Sequence, residues 1–189
     1  IHVNAHLKTT NKKIFAIGDV LGGPLFTHAA GYQAGVVIKQ AYFKMRWAKA
    51  NYQALPSVTY TDPEIAQVGL TEVQARDKFT RGVRVVSWSM EDNDRAVAEA
   101  NTQGEIKVIT DPKGKILGAS LIGLMAGELL SPWTLAISQG LKISAMAQVI
   151  APYPTFSEVS KRVAGAWYTP SLFSEKTKRV VRWLSKLPM

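Results

Sequence analysis

The feature that most constrains the fold of this chain is a short apolar run that ends in glycine and aspartate, IFAIGD at residues 14–19. Four consecutive apolar residues predict a strand covered on both faces, as in a parallel sheet. Gly18 lets the backbone bend at the strand end, and Asp19 offers two acceptor oxygens there. Ligands bind at the carboxyl ends of strands in open α/β sheets, so this run predicts a ligand site.

A helix is expected directly after this strand. The turn VLGGP at residues 20–24 places proline where a helix begins, and helical spacing of apolar residues then continues to about residues 48–51. Free amides and the positive dipole end at residues 25–28 favour a ligand that carries or acquires negative charge. Two alternatives stay open: Asp19 satisfies only turn amides, and His28 is only a surface residue.

Residues 1–50 are predicted to be the remnant of an α/β domain. A parallel strand needs partners that are joined to it by crossover connections, and the residues before Ile14 are too few to supply them. The composition shifts near residue 50, and Pro56 begins a new extended segment. We therefore expect the chain to be the carboxyl-terminal part of a larger protein.

The following region has the alternation and the turns of an antiparallel sheet. Strands are predicted over residues 57–60, 66–69, 83–89, 106–110 and 116–122. Turn chemistry separates the first two, and the hairpin turn DPKG joins the last two. The predicted fold class is α+β, with an antiparallel sheet of four to five strands and flanking helices, preceded by the α/β remnant.

Several helices are predicted to flank this sheet. Thr71 and Gln74 form a capping box for a helix over residues 72–79, with Leu70 and Ala75 at its staple positions. Further helices are predicted over residues 127–140, 145–149 and 157–164, and Pro132 either kinks the first of them or marks its start.

Charge and composition exclude several classes of function. The net charge of +9 divides into +6 over residues 1–50, −2 over residues 51–157 and +5 over residues 158–189, so a basic nucleic-acid groove through the main domain is not expected. The absence of cysteine excludes disulfides and thiolate metal sites within the chain. His2 and His6 lie outside any predicted helix, so no metal site is expected.

The apolar stretches are shorter than the ~20 residues that cross a bilayer, and residues 1–10 have no signal-peptide pattern. We expect a cytoplasmic protein, with peripheral membrane contact as a less favoured alternative.

Three stretches of the sequence together resemble one enzyme family. The first comprises Thr10, the run IFAIGDV, the turn GGP and LFTH at residues 25–28; the second is YTDPEIAQVGLTE at residues 60–72; the third is PTFSE at residues 154–158. In this order they resemble the second flavin-binding motif, the start of the dimerisation domain and the active-site stretch of the FAD-dependent pyridine nucleotide-disulfide oxidoreductases. The resemblance is to the class that includes dihydrolipoamide dehydrogenases and mercuric reductases.

This resemblance implies a domain order and a cofactor. Residues 1–50 would end the FAD-binding domain, residues 51–165 would form the dimerisation domain, and residues 166–189 would form a basic tail. Asp19 would hydrogen-bond the ribityl chain of FAD, and the backbone of residues 25–27 would face the pyrimidine edge of the flavin. The implied cofactor-binding residues are Gly18, Asp19, Leu25, Phe26, Thr27 and His28.

The resemblance also implies an activity and a partner. The intact enzyme would pass a hydride from NAD(P)H to FAD, and electrons through a cysteine pair to a disulfide, a metal ion or another small acceptor. It would be a homodimer, because the last segment of the dimerisation domain would enter the active site of the partner subunit. The chain has neither a dinucleotide fingerprint nor a cysteine pair, so we expect it to be inactive alone. The alternative is a non-enzymatic homodimerisation module.

Tyr153 and Glu158 are the implied catalytic residues. Lipoamide and glutathione reductases carry a histidine before the Pro-Thr pair and a glutamate that orients it; here Glu158 matches, and Tyr153 replaces the histidine. Because its reference pKa is ~10, only about one tyrosine in a thousand is ionised at pH 7, so Tyr153 is a poor general base. A tyrosine here resembles mercuric reductases, where it helps to bind the metal, although their terminal cysteine pair is absent. The alternative is that Tyr153 only packs beside the proline-rich turn.

Residues 173–187 predict a basic amphipathic helix. Its predicted apolar face consists of Phe173, Thr177, Val180, Leu184 and Leu187. Its predicted basic face consists of Lys178, Arg179, Arg182 and Lys186. The sequence favours docking of the apolar face on the helix's own domain or on the dimer partner. Contact of residues 173–189 with an anionic membrane surface is the less favoured alternative.

Overall fold

A computed structural model describes residues 1–79 and 82–187 of the chain. The chain divides into two compact units, Ile1–Leu55 and Pro56–Met189. The last two residues of the predicted tail, 188 and 189, lie outside the described residues. Within the described ranges no helix is both long enough and apolar enough to cross a bilayer.

The first unit contains one long helix, α1 (Thr27–Ala41), preceded by a single 3-10 turn at Gly18–Leu21. The predicted buried strand before this turn is wrong. Residues 14–16 form only a small hairpin with residues 7–9, through one isolated bridge between Phe15 and Lys8. Ile14 is 52% exposed and Ile17 is 36% exposed. A strand is covered on both faces only where other elements pack against each face, and in the described part of this unit Ile14 and Ile17 stay exposed.

The predicted extension of α1 to residues 48–51 is also wrong, because the helix ends at Ala41. Lys44 adopts a left-handed backbone conformation, with φ of 58°. The amide of Met45 donates to the carbonyl of Lys39 at 3.0 Å, which closes the helix end from six residues away. A left-handed residue of this kind terminates a helix whatever the apolar spacing beyond it.

The second unit is built on a five-stranded antiparallel sheet, as the sequence predicts. In chain order the strands are β1 (Pro56–Thr59), β2 (Glu64–Gly69), β3 (Arg84–Ser89), β4 (Glu105–Thr110) and β5 (Ile116–Gly123). Their order across the sheet is β1-β2-β5-β4-β3. Residues opposite one another share a face, so Val68, Ala119 and Val108 form one buried row across the three central strands.

The second unit also contains short helices. They are α2 (Glu72–Lys78), α3 (Asp94–Ala98), α4 (Ala126–Leu129), α5 (Ser131–Ser138), α6 (Ile143–Ala147), α7 (Glu158–Ala166), α8 (Thr169–Leu172) and α9 (Glu175–Leu184). Helix α2 packs its buried Ala75 against Ile109 and Leu117. Helices α5 and α7 contribute the fully buried Trp133, Val159 and Val163 to the core.

Most of the predicted helices are confirmed, with shifted ends. Both hydrogen bonds of the Thr71–Gln74 capping box are present. The helix predicted over residues 127–140 is two helices, and Pro132 lies in the first turn of α5. The predicted tail helix is α9, which begins after the N-cap Ser174, so Phe173 precedes it and Leu187 follows it. Helix α3 was not predicted, because five residues give no periodicity.

The close packing of β5 leaves no room for a side chain at Gly118. A Cβ atom at Gly118 would lie 1.9 Å from the carbonyl oxygen of Leu70, whereas a Cβ atom at Gly165 on α7 would meet nothing within 4 Å. We predict that Gly118→Ala lowers the free energy of unfolding by about 3 kcal/mol, because backbone must move to admit the methyl group. The matched control Gly165→Ala is expected to raise it by about 0.5–1 kcal/mol. Denaturant unfolding of the two variants measures both changes, and equal effects would contradict the close approach.

Candidate functional site

The predicted cofactor residues of the first unit lie around the turn before α1. Gly18 adopts a φ of 73°, a conformation that favours glycine, and a Cβ atom there would lie 3.5 Å from Cβ of Ala30 on α1. The turn therefore lies directly beside the first part of the helix. Asp19 follows within the 3-10 turn, and its side chain is exposed.

A buried glutamine that sequence reasoning missed holds this turn. The amide of Gly18 donates to Oε1 of Gln33 at 2.6 Å, and Nε2 of Gln33 donates to the hydroxyl of Tyr52 at 3.0 Å. Gln33 lies on the inner face of α1, and its side chain is buried. The amide of Gly18 is thus used inside the unit, and Asp19 is left as the outward acceptor. The sequence signal that could have identified Gln33 is a polar residue among the apolar positions of the predicted helix.

The other predicted cofactor-binding residues lie at the start of α1. The N-cap position is Phe26, and no side chain caps the helix there. The rings of Phe26 and His28 stack with their centroids 5.0 Å apart. Leu25 and Thr27 are exposed beside them. No side-chain cap occupies the positive end of this helix in the described chain, and binding of an acceptor there stays a prediction.

The residues of this turn have the chemistry that a flavin nucleotide requires. The exposed carboxylate of Asp19 can accept hydrogen bonds from the hydroxyls of a ribityl chain. Exposed apolar side chains at Ile17, Val20 and Leu25 can be covered by a fused aromatic ring. The donor and acceptor set therefore fits FAD.

The second group of predicted site residues lies between α6 and α7. The side chain of Tyr153 is 68% exposed, so it does not serve as a packing residue within the described chain. The following turn is held by Thr155, whose hydroxyl donates to the carbonyl of Pro152 at 2.8 Å. Glu158 is the first residue of α7 and stands one turn further along.

The carboxylate of Asp94 raises the pKa of Tyr153. A hydrogen bond to Asp94 is the largest cause that raises the pKa of the phenol above its ordinary value, followed by the negative charge of Asp94. The negative charge of Glu158 also raises the pKa, and the Arg162 guanidinium partly offsets this. Tyr153 therefore keeps its proton more firmly than an ordinary tyrosine. Asp94 lies 59 positions away along the chain, and no sequence signal links the two residues.

Glu158 is held by an ion pair on its own helix. Its Oε1 accepts from Nε of Arg162 at 2.9 Å and lies 2.7 Å from Nη2 of the same guanidinium. The side chain of Glu158 is only 14% exposed. Both guanidinium nitrogens contact the same carboxylate oxygen, and this charge-assisted contact holds Oε1 in place.

Asn93 connects helix α3, which begins with Asp94, to the turn that follows Tyr153. Its Oδ1 accepts the amide of Ala96 and caps α3, while its Nδ2 donates to the carbonyl of Thr155 at 3.1 Å. The side chain is almost completely buried. One amide group therefore fixes both the helix that begins with Asp94 and the turn that follows Tyr153.

The structure brings the predicted site residues together in two groups, one in each unit. Gly18, Asp19 and residues 25–28 come together in the first unit, and Tyr153 and Glu158 come together in the second. In neither group, nor elsewhere in residues 1–79 and 82–187, do three histidine or carboxylate side chains form a cluster that could hold a metal ion.

Comparison with known proteins identifies relatives of this chain. Residues 55–164 match the family described as "Pyridine nucleotide-disulphide oxidoreductase, dimerisation domain". A mercuric reductase from Bacillus cereus is 36% identical over 159 residues, which are 84% of this chain and 25% of that protein. A dihydrolipoyl dehydrogenase from Buchnera aphidicola is 39% identical over 160 residues, which are 84% of this chain and 33% of that protein.

Solved structures share the fold. The Cu(II) complex of the HOCl-induced flavoprotein disulfide reductase RclA from Escherichia coli aligns with a TM-score of 0.80 and 28% identity, over 87% of this chain and 37% of that one. LpdA from Mycobacterium tuberculosis aligns with a TM-score of 0.81 over 87% of this chain and 36% of that one, and at 23% identity this likeness concerns the fold.

The chain spans between a quarter and somewhat more than a third of these relatives. The family match covers more than half of the chain and includes the whole sheet and Tyr153 with Glu158. This chain therefore belongs to the pyridine nucleotide-disulphide oxidoreductase family, and residues 55–164 are its dimerisation domain.

Proposed function

We propose that this chain is the carboxyl-terminal part of a homodimeric flavoprotein that oxidises NAD(P)H and reduces a disulfide, a metal ion or another small acceptor. The observation that carries the proposal is the position of an exposed Tyr153 and of Glu158, held by Arg162, at the end of the family's dimerisation domain. We also propose residues 1–50 as the end of the FAD-binding domain, residues 51–165 as the dimerisation domain and residues 166–189 as a separate tail.

Asp19 and the start of α1 would hold FAD. When bound, the flavin supplies the capacity to accept a hydride and to deliver electrons. The contribution of this chain is binding: the Asp19 carboxylate accepts from hydroxyl groups, and the helix start stabilises negative charge on the ring. Gln33 keeps the turn in place while Asp19 is engaged.

Tyr153 would act on the acceptor as a proton-bearing phenol. At neutral pH Tyr153 is a neutral phenol, and Asp94, which raises its pKa further, makes ionisation still less favourable, so the hydroxyl would contact the acceptor as a hydrogen-bonding group. It is unsuited to remove a proton from a thiol, which is the role of histidine in lipoamide and glutathione reductases. Glu158, fixed by Arg162, would supply negative charge beside it. These properties favour an acceptor other than a dithiol.

A homodimer is supported by exposed apolar residues near Tyr153. Ile150 is 94% exposed, and Leu135 and Val149 are exposed nearby, at the edge of a groove of about 410 Å³ between α5, α6 and α7. Apolar surface of this kind in a dimerisation domain is expected to be covered by the second copy. The segment that continues from Ile150 to Tyr153 would then reach the partner.

The flavin assignment can be tested with the full-length gene product. We predict that Asp19→Ala weakens FAD binding about 10- to 100-fold, because a charged acceptor of hydroxyl hydrogen bonds is lost. Asp77→Ala, a matched change on the exposed side of α2, is expected to leave the affinity unchanged. Flavin absorbance after dialysis measures retention, and anaerobic titration with NADH and NADPH measures reduction. A wild-type product that takes up no flavin would favour the non-enzymatic module.

The state of Tyr153 can be tested by titration of phenolate absorbance. We predict that the difference between wild type and Tyr153→Phe titrates above the ordinary tyrosine pKa, because the Asp94 carboxylate disfavours the phenolate. Asp94→Asn should lower this pKa toward the ordinary value, since the negative charge is removed. Asp92→Asn, an exposed neighbour, is the control. An unchanged midpoint in Asp94→Asn would contradict the pairing.

The dimer interface can be tested by sedimentation velocity. We predict that the chain sediments as a dimer and that Ile150→Asp shifts it to monomer, because a buried unpaired carboxylate is costly at an apolar contact. Val73→Asp makes the same kind of change at an exposed position on α2 and should leave the dimer intact. A wild-type monomer at all concentrations would overturn the interface assignment.

A further inference from the structure

The carboxyl-terminal segment ends in an amphipathic helix whose apolar face is uncovered. None of the residues of α9 is buried, and Leu172 and Phe173 just before it are exposed as well. The side-chain hydrogen bonds described for this segment are local, such as the 2.7 Å bond from the Thr177 hydroxyl to the carbonyl of Ser171. Of the two docking sites that the sequence favours, the helix's own domain does not cover this face in the described chain, and docking on the dimer partner stays a prediction.

The two faces of α9 are well separated. Thr177, Val180, Val181 and Leu184 follow the i, i+3, i+4, i+7 spacing of a single helical face. The opposite side carries Lys178, Arg179, Arg182 and, just beyond the helix end, Lys186. Trp183 lies at the border between the two faces and is 62% exposed.

The charge of the segment is strongly positive. Residues 173–187 contain five basic side chains and one acidic one, Glu175. Glu175 is paired with Lys178 at 2.8 Å, so its negative charge is compensated within the helix. A complementary surface must therefore be both apolar and negatively charged.

The segment is attached to the sheet through Trp167, which precedes α8. The guanidinium of Arg84 on β3 lies 3.8 Å from the ring of Trp167, and the indole nitrogen of Trp167 donates to the hydroxyl of Thr110 on β4 at 2.9 Å. Arg84 also donates to the carbonyl of Trp167 at 2.8 Å. The chain leaves this anchored residue through α8 and then enters α9.

We propose that α9 is a membrane-surface anchor that lies in the headgroup region of a bilayer rich in anionic phospholipid. Val180, Val181 and Leu184 would enter the acyl boundary, and the basic residues would face the lipid phosphates. Trp183 stands where aromatic side chains concentrate at membrane interfaces. The helix combines a basic face, an apolar face and few acidic residues, which is the composition of such surface helices.

A second copy of the chain is a weaker candidate for this face. Only Val180, Val181 and Leu184 are large apolar residues on the helical face itself, and together they offer less than the ~800 Å² that each partner of a stable interface buries. A lipid surface does not need this area, because its electrostatic attraction adds to a small apolar insertion. The positive charge of α9 would also be repelled by the same helix of another copy.

The test is binding of the full chain to vesicles of phosphatidylcholine alone and of phosphatidylcholine mixed with phosphatidylglycerol. We expect pelleting with the anionic vesicles only, and weaker pelleting as salt is raised. The double variant Lys178→Gln/Arg182→Gln is expected to bind about 30-fold more weakly, from about fivefold for each basic residue. Leu184→Asp should also lose binding, because a carboxylate would have to enter the acyl boundary.

Matched controls separate α9 from the rest of the chain. Lys113→Gln in the β4–β5 turn and Val73→Asp on α2 change exposed residues elsewhere and should bind as wild type does. Trp183→Phe should abolish the blue shift of tryptophan fluorescence that vesicles cause, while pelleting is retained. Circular dichroism checks that each variant is folded, which we expect because α9 buries no residue.

Three results would overturn the proposal. The first is equal binding to neutral and anionic vesicles, and the second is binding that survives the double variant. The third is a monomer in Leu184→Asp without any vesicle binding by wild type, which would assign the face to a second copy. A wild-type dimer that binds anionic vesicles supports the proposal, whether or not the full-length product holds flavin.

Discussion

The candidate active site of the second unit depends on a single buried amide, the side chain of Asn93. Its carbonyl oxygen caps α3, and its amino group donates to Thr155 in the turn that contains the site residues. A buried amide is costly unless its groups are bonded, so both contacts must form together. The consequence is that Asp94 and Tyr153, which come from distant parts of the chain, are fixed in one local environment.

The sheet was predictable because its information is local. Partial alternation marks β4 in the sequence, the hairpin turn DPKG connects it to β5, and the capping box marks α2 without any knowledge of the fold. The ends of elements were less predictable, since Lys44 ends α1 through a backbone conformation that its residue type does not reveal. The run at residues 14–17 reads as buried, but a strand exists only where another strand pairs with it.

The candidate site was predictable in its residues more than in its chemistry. The family resemblance places Tyr153 and Glu158, and the substitution of histidine by tyrosine can be read directly from the sequence. Asp94 and Gln33 could not be assigned a role in advance, because each acts through a contact that only the folded chain creates. The proton affinity of Tyr153 is therefore a property of the tertiary structure, as shifts caused by neighbouring charges generally are.

The Gln33 side chain has a consequence for how the first unit can vary. It accepts from Gly18 at one end and donates to Tyr52 at the other, so the orientation of the Asp19 turn depends on a hydroxyl close to the end of this unit. Loss of that hydroxyl would free the glutamine amide to rotate, and the turn would become less ordered without any change at Asp19 itself. Substitution at position 52 would thus change the order of the Asp19 turn from a position outside the turn itself.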